Sequence, residues 1–158
     1  TSLSLVGGRG HITDKGLKHL SRLTRLTSLF LSSDRISSAG LKHLRGLTRL
    51  TYLSLASKRI KDAGLKHLGG LVRLRTLNLR YCGVKGPGLW HLRRLTGLTK
   101  MEFSGSPLTD AGLPHLAPFK RLTSYVTTET KTTVRAKRKL DKKLPYLGNC
   151  CVSTVNPR

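Results

Sequence analysis

Apolar residues return every 24 residues along most of this chain. That spacing separates Gly16, Gly40, Gly64, Gly88 and Gly112, and it also separates Leu26, Leu50, Leu74, Leu98 and Leu122. Two further columns keep the same phase, one running from Leu23 to Phe119 and the other from Leu29 to Tyr125. So many columns in phase predict stacked copies of one supersecondary unit.

Residues 26–49 represent this unit and read LTSLFLSSDRISSAGLKHLRGLTR. The alternation of inward and outward positions over residues 29–31 predicts a short, half-buried strand. Apolar residues at 41, 44 and 47 predict one face of a short helix or 3₁₀ segment. Two residues before the glycine of four units lies an Asp or a Ser, and we expect it to cap the helix that it precedes; these residues are Asp14, Ser38, Asp62 and Asp110.

The pattern LxxLxLxxxxIxxxGLxxLxxL resembles a leucine-rich repeat. It is most similar to the 24-residue variety that reads roughly ITDAGLKHLxGLTxLTxLxL, found in bacterial and F-box-type repeat proteins. The resemblance implies an α/β fold, a right-handed solenoid with a parallel β-sheet on its concave side and short helices on its convex side. It also implies a polar ladder between turns, here at Asp34, Lys58, Cys82 and Ser106, which Lys58 would interrupt.

We divide the chain into three parts. Residues 1–126 are five repeats and a leading strand, and we expect that the N-terminus is truncated, because Thr1 starts inside a strand. Residues 127–147 are a degenerate terminal repeat, with a polar linker and then a basic capping helix whose apolar positions Ala136, Leu140 and Leu144 precede Pro145. Residues 148–158 are a C-terminal tail. The first unit is longer than the others by two residues, so the glycines of GGRG at 7–10 suit a looped-out connection.

Charge narrows the class of partner. The 158 residues include 30 Lys and Arg but only 7 Asp and Glu, a formal net charge of +23, which favours anionic partners. No apolar run approaches the ~20 residues of a membrane span. Three cysteines, Cys82, Cys150 and Cys151, do not make a disulfide framework, so an intracellular and reducing location is expected.

Catalytic and metal-binding candidates are few. Five histidines repeat with the period of 24, but metal ligands must converge within about 2.1 Å of one ion, whereas equivalent positions in stacked strands lie about 4.8 Å apart. We expect these imidazoles to pack on the outer flank and to bond the backbone of an adjacent turn, with a pH-sensing stripe as the alternative; they are His19, His43, His67, His91 and His115. We expect Glu102 to form a surface ion pair, with Lys100 as its neighbour. We predict no catalytic residue, metal or cofactor.

Two surfaces are candidates for binding. The first, the sheet-face patch, consists of side chains expected on the exposed concave face, where Tyr and Arg are frequent binding anchors; it comprises Phe30, Tyr52, Asn78, Arg80, Tyr81, Lys100 and Glu102. The second, the basic belt, belongs by phase to the helical side, the return loops and the terminal helix. Its residues are Lys18, Arg22, Arg25, Lys42, Arg45, Arg49, Lys66, Arg73, Arg93, Arg94, Arg138 and Lys142. Trp90 is the exception in a belt otherwise without aromatics, so its nucleic-acid contacts are expected to go to phosphate.

We therefore expect a non-catalytic scaffold that binds a protein partner on the concave sheet, as a monomer or as part of a larger chain or assembly. The first alternative is a basic component that docks on RNA or another polyanion through the belt. The second alternative is the substrate-recognition part of a larger, ubiquitin-ligase-type protein.

Overall fold

The computed structural model describes residues 1–6 and 12–147. Short strands alternate with short helices, as the repeat predicts. The strands are β1 (Ser2–Val6), β2 (Ser28–Ser32), β3 (Tyr52–Ala56), β4 (Thr76–Arg80), β5 (Lys100–Glu102) and β6 (Ser124–Val126). The helices are α1 (Asp14–Leu20), the 3₁₀ helices η1 (Gly40–Leu44), η2 (Asp62–His67), η3 (Pro87–Leu92) and η4 (Leu113–Leu116), and α2 (Val134–Asp141).

The six strands form one parallel sheet in chain order, β1-β2-β3-β4-β5-β6. Ser2 pairs with Ser28, and Ser28 then pairs with Tyr52, so the first step along the chain is two residues longer than the next. This register confirms that the first unit is longer than the others. The looped-out connection expected at the glycines of GGRG lies outside the described residues.

The core lies between the sheet and the helices and consists mainly of leucine. In β2 to β5 the residues that point inward are buried, as are the leucines of the helices. Leu23 is the exception among the column residues expected in the core, with 45% of its side chain exposed. Within the described residues its turn has a stacked neighbour on one side only, so its outer side has nothing to pack against.

The helix-capping prediction is wrong for the acidic column, which consists of Asp14, Asp62 and Asp110. Asp62 accepts hydrogen bonds from the backbone N–H groups of Lys85, Gly86 and Gly88, which belong to the next turn. Asp14 likewise accepts from Ser37, and Asp110 accepts from Thr133, both in the following turn. These carboxylates join turns instead of ending their own helices, because the stacked neighbour presents its free N–H groups where the side chain points.

The polar ladder also differs from the prediction. In the first two turns its bonds come from Ser33 and Ser57, whose hydroxyls donate to Ile12 and Ile36 of the preceding turn. Asp34 and Lys58, one residue later, are exposed, so Lys58 interrupts nothing. In the next two turns Cys82 and Ser106 take the role, bonding the carbonyls of the strand residues Leu55 and Leu79.

The ladder shifts by one residue at Tyr81. Tyr81 and Gly105 have φ angles of 51° and 68°, so each lies in the left-handed region and turns the following residue into the core. Ring atoms of Tyr81 lie against Gly105, and a Cβ there would come within 2.3 Å of them. The close approach therefore requires glycine at 105.

The segment after β6 is not a free linker. Gly105 and Lys131 donate backbone hydrogen bonds to Thr128 and Leu108, and Thr109 pairs with Lys131 as an isolated parallel bridge. The predicted capping helix is present as α2, with Leu140 and Leu144 buried, but it ends at Asp141, well before Pro145. Tyr125 holds this end by donating its hydroxyl hydrogen to Asp141 at 2.5 Å.

Candidate functional site

The sheet face is built by the strand pleat. Because side chains alternate along each strand, the residues between the buried leucines point away from the core. The parallel register then lines them up in rows. In one row Phe30 pairs with Ser54, which pairs with Asn78, and in another Tyr52 pairs with Thr76, which pairs with Lys100. Phe30 and Tyr52 are therefore diagonal neighbours, which is within reach of aromatic side chains.

Two cross-strand contacts order the middle of this face. Asn78 donates from Nδ2 to the Tyr52 hydroxyl at 3.2 Å, and Arg80 Nε lies 3.1 Å from Glu102 Oε1. Ser104 donates to the same Glu102 oxygen. Glu102 is thus a surface ion-pair residue, as expected, but its partner is Arg80 of the neighbouring strand and not Lys100.

The sheet-face patch is brought together with one exception. Phe30 and Tyr52 are half-buried, Lys100 is exposed at the start of β5, and Asn78 and Arg80 lie on β4. Tyr81, however, follows the end of β4 and has left-handed backbone, so it lies at the strand-to-helix edge of the solenoid. Because Tyr81 directly follows Arg80 in the sequence, the repeat pattern does not reveal this change of direction.

All twelve residues of the basic belt are exposed. Lys18, Lys42 and Lys66 stand at equivalent positions on α1, η1 and η2. Arg80 of the sheet face forms the one salt bridge found within residues 1–6 and 12–147, so the belt cations have no carboxylate partner there. Within that part of the chain, their charge is left to solvent counterions.

The scarce acids explain why the belt lacks partners. Asp14, Asp62 and Asp110 accept hydrogen bonds from the next turn, and Asp141 accepts one from Tyr125. Glu102 is paired on the sheet face. Most acidic side chains are thus engaged in these contacts and form no ion pair with the belt cations within the described residues.

A second row of cations was missed by the sequence reasoning. It runs along the loops that lead from the strands to the helices, the edge on which Tyr81 lies, and its members are all exposed: Arg35, Lys58, Arg59, Lys61, Lys85 and Lys131. The 24-residue columns could have revealed Arg35 above Arg59. Positive charge therefore covers both edges of the solenoid.

The histidine column lies on the helices, but its predicted backbone bonds are absent. Across the described part of the chain, none of the five imidazoles forms a hydrogen bond, and His67 Nδ1 is buried without a partner. Burial lowers the pKa of His67, and the nearby cations Arg45, Lys66 and Lys42 lower it further. No group of three His, Cys, Asp or Glu side chains within the described ranges could hold a metal ion.

Cys82 is a free, buried thiol whose pKa is raised to about 11 by burial, so it is protonated and unreactive near neutrality. Cys150 and Cys151 lie outside the described residues. An open pocket of about 440 Å³ lies between η4 and α2, and its lining includes Leu113, Pro114, Lys139, Leu140 and Lys143. None of the described helices is long and apolar enough to cross a membrane.

The repeat identity follows from this geometry. Residues 24–84 match the family model described as leucine rich repeat, and the in-register turns extend the same architecture on either side. Residues 24–84 are therefore leucine-rich repeats, and the described chain has an α/β solenoid fold of that kind. No curated protein sequence matches it significantly.

Two solved structures share the fold at low sequence identity, and a third is similar over part of the chain. An internalin C2 (inlC2) from Listeria monocytogenes is 22% identical over 92% of this chain and 68% of its own, with a TM-score of 0.57. The TLR13–ssRNA13 complex is 22% identical over 84% of this chain and 20% of its own, with a TM-score of 0.63. An internalin (inlF) from the same bacterium is 23% identical over 80% of this chain, with a TM-score of 0.47, and the chain spans about half its length.

Proposed function

We propose that this protein is a non-catalytic scaffold that binds a protein partner on its exposed sheet face. The observation that carries the proposal is the ordered row of side chains there. Tyr52 is fixed by Asn78, and Arg80 is fixed by Glu102, so large binding side chains are held before a partner arrives. Preorganised Tyr and Arg lose little conformational entropy on binding.

Phe30 strengthens the same proposal. It is half-buried on the exposed face of the sheet, diagonal to Tyr52, and offers apolar area beside polar groups. This combination of an apolar centre with a polar surround is typical of protein interfaces. The same proposal includes an intracellular location and a protein that acts as a monomer or as part of a larger chain or assembly. The alternative of a ubiquitin-ligase substrate-recognition part draws no support from the described residues.

Photo-cross-linking tests this proposal. A photoreactive residue replaces Lys100, which is exposed on the sheet face, in one variant and Thr48, which is exposed on the return loop, in a second, matched variant. We expect a discrete cross-linked protein from position 100 only, and we expect Tyr52→Ala to weaken its binding about 30-fold, which corresponds to about 2 kcal/mol. Cross-linking from position 48 alone, or binding unchanged by Tyr52→Ala and Phe30→Ala, would contradict the sheet face as the binding site.

A second candidate function is docking on a linear polyanion through the basic belt. The observation that favours it is the row of exposed cations at equal positions of successive turns, without carboxylate partners in the described range. A solvated surface normally carries both signs of charge, whereas here the acids are used inside the fold. The two functions use different faces and are compatible with each other.

Salt dependence tests the second candidate. Heparin and a single-stranded RNA serve as probes, and the dissociation constant is measured at several salt concentrations. We expect log affinity to fall steeply with log salt, by about 0.7 for each phosphate that the belt contacts on a single strand. Affinity that does not change with salt would remove this candidate and leave the sheet-face proposal intact.

A further inference from the structure

Trp90 is the only tryptophan of the chain, and it lies on the helix face among the cations of the belt. In η3 it takes the position that Lys18, Lys42 and Lys66 take in the preceding helices. Its side chain is 52% exposed although its neighbours Leu89 and Leu92 are fully buried. A large aromatic ring thus replaces a solvated lysine at this point of the column.

Arg93 holds the ring in place. Its guanidinium carbon lies 4.4 Å from the centre of the Trp90 ring, and its Nη1 donates to the Trp90 carbonyl at 3.3 Å. A cation over an indole face is attractive, and the added hydrogen bond fixes the guanidinium. The exposed part of the ring is therefore presented in a defined orientation.

The surroundings of the ring are cationic. Lys66 occupies the equivalent position one turn earlier, and Arg94 follows Arg93 directly; both are exposed and have no carboxylate partner in the described chain. The two helices that carry Lys66 and Trp90 pack against each other. A stacking surface and unpaired cations thus lie together on one face.

We propose that this place binds single-stranded nucleic acid, with a base stacked on Trp90 and the adjoining phosphates on Lys66 and Arg94. The inference rests on the polyanion function proposed for the belt and adds to it a preference for unpaired bases. Only an unpaired base can lay its face on an exposed aromatic ring, since the bases of a duplex are already stacked. The sequence predicted that the belt contacts nucleic acid through phosphate, and this proposal adds one base contact at Trp90.

The unique tryptophan makes the proposal directly measurable. A short oligouridylate, an abasic strand of the same length and heparin are titrated into the whole chain at low salt, and tryptophan emission is followed. We expect the oligouridylate to quench the emission strongly, whereas the abasic strand and heparin bind with little change. Quenching of equal size by the abasic strand would overturn base stacking while leaving the belt function in place.

Substitution gives a second readout. With fluorescein-labelled strands, Trp90→Leu should weaken oligouridylate binding about tenfold, which corresponds to about 1.4 kcal/mol, and should change heparin affinity less than twofold. Trp90→Phe, which keeps an aromatic ring, should recover part of the loss. Unchanged oligouridylate affinity in Trp90→Leu overturns the proposal, provided that its circular dichroism matches that of the parent chain.

The two proposals fail in distinguishable ways. If neither heparin nor either strand binds at low salt, the belt function fails, and base stacking fails with it. If heparin binds with a steep salt dependence but duplex RNA binds and quenches as strongly as the oligouridylate, the belt function stands and the single-strand preference is wrong.

Discussion

On the sheet face, Arg80 lies 3.1 Å from Glu102 and Asn78 donates to Tyr52, whereas on the helix face Lys18, Lys42 and Lys66 have no carboxylate partner in the described range. The two surfaces belong to the same turns, but Arg80 and Glu102 are paired on the sheet face, whereas the cations in the described part of the helix face have no carboxylate partner. Ordered polar side chains favour a partner of defined shape. Unpaired cations favour any partner of sufficient negative charge, with an affinity set largely by salt.

The largest expected effect comes from charge reversal on the return loops, which form the helix-to-strand edge of the basic belt. Arg25→Glu, Arg49→Glu and Arg73→Glu together should lower polyanion affinity roughly 100-fold or more and lower the salt slope by about 2, because phosphate contacts are lost and repulsion replaces them. Binding of the protein partner to the sheet face should remain within about threefold.

The matched control reverses three cations of the other edge, Arg35, Arg59 and Lys85, and changes the net charge by the same amount. If this control weakens heparin binding as much as the belt variant does, net charge and not the belt governs the interaction. The second row of cations would then be part of the site.

The next largest effect concerns the stacking on which both faces depend. Asp62→Ala removes the acceptor of three backbone N–H groups in the next turn and should lower the free energy of unfolding by about 3 kcal/mol. Ser38→Ala is the matched control, since Ser38 stands at the same repeat position and accepts only one backbone N–H, from Lys61. It should cost less than about 1 kcal/mol.

Urea unfolding with an unchanged m-value measures both variants. Equal losses of stability in Asp62→Ala and Ser38→Ala would contradict the stabilising role assigned to the three inter-turn hydrogen bonds of Asp62. Asp62→Asn, which keeps one acceptor oxygen, should recover part of the stability.

A smaller effect separates order from stability on the sheet face. Glu102→Gln removes the charge partner of Arg80. Because the pair lies at the surface and is partly exposed, the free energy of unfolding should change by less than about 1 kcal/mol. Partner binding should fall more than stability does, because Arg80 is no longer held. Lys100→Gln, on the same strand but outside the pair, should leave partner binding closer to that of the parent chain. Equal effects of the two variants would contradict a special role for the pair.

The smallest effect is the pH dependence of the helix face. The pKa of His67 is lowered in the folded chain, first by burial and then by Arg45, Lys66 and Lys42. The unfolded state therefore binds a proton more readily, so stability is fully present above the ordinary histidine pKa of about 6.5 and is lost as pH falls below it.

We expect His67→Gln to reduce the loss of stability between about pH 7 and pH 5, measured as the urea midpoint. His19→Gln removes an exposed member of the same column and serves as the control. If both variants retain the full acid-induced loss, other groups cause it.

The periodic columns predicted much of the candidate site. They assigned the inward leucines, the exposed cations of the belt and the strand positions of Phe30, Tyr52 and Asn78, because a position within the repeat decides which face a side chain takes. They did not identify the partner of Glu102, since the direction that each side chain takes decides which residues of adjacent strands approach one another. Lys100 was near in sequence, but Arg80 is near in space.

Tyr81 and the acidic column show the same limit more sharply. A residue with positive φ redirects the chain, and neither Tyr81 nor its neighbours reveal this angle through hydrophobic pattern. Aspartate is a residue type typical of helix caps. The carboxylates of Asp14, Asp62 and Asp110, however, accept hydrogen bonds from backbone N–H groups of the next turn, 23 to 26 residues away.

The amino-acid sequence by itself determined the repeat, the strand-and-helix unit, the leucine core and the positive charge, since these depend on periodicity and composition. The tertiary structure alone decided which polar side chains meet, because their partners belong to other turns and their approach depends on register and local backbone angles. It placed Arg80 on Glu102, moved Tyr81 off the sheet face, left the belt cations without a carboxylate partner among residues 1–6 and 12–147, and set the Trp90 ring against Arg93.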